Sequence, residues 1–147
     1  MSTTTASWIG LGVAAFVAVN VWLNLKGRKK ERRLQRIRGA QDAKAFAAMF
    51  AAEPERLVAE NLYPRLQSIT YTHALPLAKD DTFPALHFDP EDLLDEVRGV
   101  FADLGCNKPN STELTQGLAG VETIGELVVA LAKLTSAETT SSSSTER

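Results

Sequence analysis

No Lys, Arg, Asp or Glu occurs before Lys26. A cleaved secretory signal carries cations ahead of its apolar stretch. Met1–Ser7 holds none, so that class is set aside. Cysteine is nearly absent too: Cys106 stands alone. An intramolecular disulfide and a Cys-based zinc site are therefore excluded. Cys106 reads instead as a small apolar side chain near a helix end. Histidine is limited to His73 and His87, and neither sits in a signature that would activate the thiol. There is no glycine-rich phosphate loop, nucleophile elbow, H-E-x-x-H or calcium loop. No catalytic residue, cofactor or metal is assigned, and an enzyme is the least expected class. Its only candidate groups are the acids around Asp89, His73, His87 and Cys106.

What the N-terminal part does have is an uncharged run. Trp8–Leu25 reads WIGLGVAAFVAVNVWLNL, which as a helix spans about 27 Å, close to the roughly 30 Å hydrocarbon core of a bilayer. Trp8 and Trp22 lie toward its ends, where indoles favour the headgroup level. Eight cations follow at once: Lys26, Arg28, Lys29, Lys30, Arg32, Arg33, Arg36 and Arg38. This order predicts a single-pass anchor in the inner (cytoplasmic) membrane, N-terminus out and C-terminal domain in the cytoplasm. Within the run, Gly10, Ala14 and Ala18 recur every four residues, and Asn20 and Asn24 share their sector. Small residues and amides at that spacing favour helix–helix contact, with a membrane helix partner or a second copy.

The charge is split. Of the chain's sixteen cations and eighteen anions, eight cations and one anion fall in residues 26–38, leaving eight cations against seventeen anions from Gly39 onward. The basic block is expected to lie against anionic lipid headgroups. The acidic remainder repels phosphate backbones, so no nucleic-acid partner is expected. The domains expected are an N-terminus (1–7), a membrane helix (8–25), a basic juxtamembrane helix (26–40), an acidic helical domain (41–134) and a disordered tail (135–147).

Within the acidic domain the pattern is helical. Phe46, Met49 and Phe50 are spaced for a helix in Gln41–Ala52, and Leu57, Val58, Leu62 and Leu66 for one in Pro54–Ser68, which Pro64 kinks or ends. Ile69–Leu77, rich in Thr and Tyr, suits a short extended piece, and Asp80–Phe88 a loop. Asp89-Pro90-Glu91 opens a helix as N-cap, first-turn proline and first-turn acid. It buries Leu93, Leu94, Val97, Val100, Phe101 and Leu104 and stops at Gly105. Residues 112–119 suit a short helical turn. Thr123 and Glu126 form a capping box for Ile124–Leu134. From Thr135 the tail lacks apolar residues and is expected to be disordered. The fold class is all-α: one transmembrane helix plus a small helical bundle.

The stretch DDTFPALHFDPEDLLDEVRGVFADLGC, followed by VETIGELVVALAKL, resembles an acyl carrier protein over about residues 54–134. Phe83, Leu86 and Asp89 match that family's loop and helix cap. Glu91, Asp92, Asp95 and Glu96 match its acidic recognition helix. Thr123, Ile124, Leu127 and Val128 match its last helix, and Pro54–Ser68 its first. The family attaches phosphopantetheine to the serine after the aspartate. Here that position is Pro90, His87 replaces the usual glycine, and no serine occurs between Ser68 and Ser111. The resemblance implies a carrier-like domain that carries nothing covalently; a generic helical bundle with a well-capped acidic helix is the alternative.

Two functions follow as expectations. One is a membrane-tethered, non-catalytic adaptor whose Glu91, Asp92, Asp95 and Glu96 dock a basic patch of a protein partner. The other is a small accessory structural subunit of a membrane protein complex, held by Gly10, Ala14, Ala18, Asn20 and Asn24.

Overall fold

The computed structural model describes the backbone of residues 3–142 and side-chain environments over residues 16–137. Among the described residues there are seven helices in chain order: α1 (Thr3–Arg38), α2 (Ala43–Ala47), α3 (Glu53–Ser68), α4 (Phe83–Leu86), α5 (Pro90–Asp103), α6 (Ser111–Gly117) and α7 (Ile124–Ser142). The expected all-α class holds, with no strand among the described residues and one isolated bridge, Thr82 to Thr123.

The membrane expectation does not hold. Among the described residues no helix is long and apolar enough to cross a membrane. The uncharged residues Phe16–Leu25 form one stretch of α1. Asn20 and Asn24 interrupt it, and the same helix continues through the charges from Lys26 to Arg38. The transmembrane, single-pass and inner-membrane assignments, with their N-out orientation, are withdrawn on this finding. The side chains of Trp8, Gly10 and Ala14 lie outside the described residues.

Local chemistry explains most helix ends. Asp89 caps α5 by accepting from the Glu91 amide at 2.9 Å. At its other end Gly105 takes φ +67°. There the Cys106 amide reaches Phe101 O at 2.9 Å and the Gly105 amide reaches Ala102 O at 3.2 Å, closing the helix in a Schellman turn. The Thr123–Glu126 capping box forms as expected: Thr123 Oγ1 accepts from the Glu126 amide (3.2 Å) and Glu126 Oε2 from the Thr123 amide (3.0 Å). Asn110 and Glu113 build a second box at α6, and Asp42 caps α2 through the Ala45 amide at 2.7 Å.

Several elements differ from expectation. The second helix is only five residues long, and Met49 is exposed while Phe46 and Phe50 are buried. Pro64 does not end α3, which runs on to Ser68. A proline removes one intrahelical donor, and burial of Leu62, Tyr63 and Leu66 around it holds the helix together. Leu57 and Leu94 turn outward rather than into the core. The expected loop Asp80–Phe88 contains α4, with Pro84 in its first turn. Helix α7 continues past Leu134 to Ser142, with Thr135 buried; residues 143–147 of the expected disordered tail lie outside the described residues.

Helix α3 is the centre of the bundle and packs on α2, α5 and α7. Val58, Leu62 and Leu66 meet Val97, Val100, Phe101, Ile124, Leu127 and Leu131 in one core. Phe46 stands edge-on to Phe50, ring centroids 5.5 Å apart.

Residues 69–82 have no regular structure, yet Leu75 and Leu77 are fully buried. A buried backbone needs partners, and long polar side chains supply them. Gln67 holds both backbone groups of Leu75, at 2.6 and 2.8 Å. Gln41 does the same for Leu77, at 2.7 and 3.0 Å. From α1, Glu31 accepts the amides of Tyr71 (3.0 Å) and Thr72 (2.7 Å). Gln35 donates to Ala74 O at 2.6 Å. Arg38 clasps Asp81 with both Nη atoms, at 2.5 and 2.7 Å. The C-terminal half of α1 is thus strapped to the domain by polar contacts. Of the basic block expected to face lipid, Lys30 and Arg38 contact the domain, through Ala85 O and Asp81, while remaining exposed.

Candidate functional site

The four acids singled out on α5 do not act as one set. Glu91, Asp92 and Asp95 are exposed. Asp95 reaches Arg98 at 3.2 Å, an exposed pair one turn on. Glu96 is turned back into the fold, where it accepts from Arg65 (3.2 Å) and Ser68 (3.2 Å) of α3. Arg65 also grips Asp103 through Nε and Nη2, at 2.7 and 2.9 Å. Hydrogen bonding from Arg65 is the main cause that holds the Asp103 carboxyl below the usual carboxylate range, and hydrogen bonding to Asp103 the main cause that raises the Arg65 guanidinium. Three carboxylates on the first turns of α5, with the Asp89 cap before them, therefore face solvent.

Beside them lies a groove of about 290 Å³ lined by Phe83, Pro90, Leu93, Leu94, Val97, Leu118, Val121 and Leu127. All eight are apolar. The α4 turn contributes Phe83, α5 one face at i, i+3, i+4 and i+7, and the α6–α7 connection Leu118 and Val121. Leu94 is 37% exposed at this site. Sequence reasoning placed Leu94 in the core; its neighbour Leu93, half-buried, takes that role only in part. Pro90 stands in the groove wall with no oxygen on its side chain.

The other candidates are dispersed. His73 places Nδ1 3.0 Å from Gln67 O. His87 places Nε2 3.5 Å from Lys30 Nζ. Both residues adopt left-handed backbone, φ 53° and 58°. Cys106 is half-buried beyond the end of α5, its Sγ 3.8 Å from Leu104 O. Among the described residues, no three His, Cys, Asp or Glu side chains stand close enough together to hold a metal ion.

On α1 the expected packing face is described only in part. Ala18 is exposed. Asn20 Nδ2 donates to Phe16 O and Asn24 Nδ2 to Asn20 O, each at 2.9 Å. Each amide thus has a partner within its own helix. No protein-family model matches the chain, and no curated protein or solved structure is significantly similar to it.

Proposed function

We propose that the chain is a non-catalytic binding module that docks a partner segment bearing basic and apolar side chains on α5. The observation that carries this reading is the juxtaposition on two turns of one helix. Pro90, Leu93, Leu94 and Val97 wall an open apolar groove, and Glu91, Asp92 and Asp95 project between and beside them to solvent. Apolar anchoring supplies affinity and the carboxylates steer a cationic partner, so association should slow with salt. The carrier-like reading of residues 54–134 belongs to this proposal. It is supported by the order of a long α3, an Asp-opened α5, a short α6 and a Thr-capped α7. With Pro90 at the acceptor position, such a domain recognises a partner without carrying a group. The test compares proteins captured by the full chain and by E91K/D92K/D95K at low and high salt. A salt-sensitive partner lost by the reversed variant supports the proposal, and an unchanged captured set refutes it.

A second reading, an accessory subunit of a larger assembly, is favoured by α1. Phe16, Val17, Val19, Val21, Trp22, Leu23 and Leu25 are 49–72% exposed. A stretch of exposed apolar side chains this dense marks a surface that a partner covers. Replacing residues 16–25 with a polar helix separates the two readings: the adaptor keeps its partner and the subunit does not.

A further inference from the structure

A cavity of about 470 Å³ opens where α1 meets the α4 turn, lined by Leu23, Lys26, Gly27, Lys30, Tyr71 and His87. Its lining holds two ammonium groups and an imidazole, and among its described lining residues none is acidic. Lys26 and Lys30 are one turn apart on α1 and share a face. Lys26 Nζ lies 4.7 Å over the Trp22 ring. Lys30 donates to Ala85 O, and its Nζ stands 3.5 Å from His87 Nε2. His87 reaches this position from a left-handed backbone at the C-cap of α4, a conformation that disfavours a non-glycine residue. The nearest acid in sequence, Glu31, is not in this lining; it lines the small adjoining pocket that shares Gly27, Lys30, Tyr71 and His87, and its carboxylate is taken up by the Tyr71 and Thr72 amides. Gly27 leaves room for the Tyr71 ring, since a Cβ there would sit 2.5 Å from its Cε2.

The geometry points to an anion-binding site for a phosphomonoester whose apolar or aromatic body lies on Leu23 and the Tyr71 ring. Among the described residues neither Lys26 nor Lys30 makes an ion pair; such cations gain from a solution anion, and charge-assisted hydrogen bonds are the strong ones. Two ammonium groups on separate side chains, with an imidazole beside them, suit a tetrahedral dianion; a planar carboxylate is matched by a guanidinium fork, which this cavity lacks. The site is independent of the α5 groove, and either can fail without the other.

The test titrates the full chain with inorganic phosphate and with phenyl phosphate, following the imidazole resonances of His87 and using His73 as internal reference. Acetate and dimethyl phosphate serve as monoanion controls. The expected result is a saturable shift at His87 alone, tighter for phenyl phosphate than for phosphate and weaker for both monoanions. K26Q and K30Q should each weaken phosphate binding roughly tenfold, as loss of a charge-assisted bond predicts. K26Q leaves the Lys30–Ala85 O contact in place, so a folding defect confined to K30Q does not decide the outcome. No saturable shift, an equal shift at His73, equal binding of the monoanions, phenyl phosphate no tighter than phosphate, or unchanged affinity in both variants would overturn the assignment.

Discussion

Arg65 of α3 lies across Gly99 of α5: a Cβ built at Gly99 would come within 2.0 Å of Arg65 Nη1. The missing side chain lets the guanidinium lie against α5 and reach Glu96 on one side and Asp103 on the other. Glycine in a helix interior costs about 1 kcal/mol against alanine, and a half-exposed ion pair returns about 0.2–1 kcal/mol. G99A should therefore leave stability nearly unchanged in the natural chain, because helix propensity gained offsets the displaced arginine. In an R65A background the same change should stabilise by about 1 kcal/mol. A double-mutant cycle by urea denaturation reads the coupling. Additive effects would mean that the close approach carries no energy.

Acid should weaken the fold in a defined window. Asp103 titrates below its ordinary range because Arg65 donates to it, and Glu126 because the Glu122 and Thr123 amides do. A depressed native pKa means that the unfolded chain binds more protons. The stabilisation is therefore full above the unfolded values, about 3.9 for Asp and 4.3 for Glu. It is lost as pH falls through the native values. D103N and E126Q should each be less stable than the natural chain at neutral pH and converge with it in acid. Parallel stability curves for natural and variant chains would contradict this origin.

Glu31 is only 5% exposed, and its carboxylate holds two loop amides. E31A leaves both without that acceptor, at a cost of about 1–3 kcal/mol. E31Q keeps one carbonyl oxygen and should cost less. The direct readout is hydrogen exchange at Tyr71 and Thr72, which should accelerate strongly in E31A while the amides of α3 and α7 change only by the global loss.

Pro64 is exposed inside a continuous α3. Alanine there restores an N–H for Glu60 O and leaves no void in the core. P64A should raise stability by about 1–3 kcal/mol, a part of what an interior proline costs. A decrease in midpoint would show that the proline shapes the helix for its neighbours.

The parts of this fold legible in the sequence are those fixed by near neighbours. Asp89-Pro90-Glu91, Gly105 and the Thr123–Glu126 box each act within a few residues, and each acts as expected. Asn110 and Glu113 carry the same local signature. Residues 69–82 were not legible, because their partners Glu31, Gln41 and Gln67 stand 8 to 41 residues away. Apolar spacing could place Leu57 and Leu94 on helices but not tell which side of the stripe solvent would reach. The membrane reading came from apolar length and flanking charge, features that did not reveal α1 strapped to the domain by Glu31, Gln35 and Arg38. Of the α5 acids, Glu96 proved structural because Arg65, 31 residues away, claims it.

The central claim is that the groove beside Leu94 is where a partner sits. The most direct measurement places a photo-crosslinking residue at position 94, and as a control at Leu57, a more exposed side chain on α3. Illumination of the partner-bound full chain should give a crosslinked product from position 94, suppressed by high salt and by E91K/D92K/D95K, and none from position 57. Products of equal yield from both positions, or from position 57 alone, would contradict a docking site on α5.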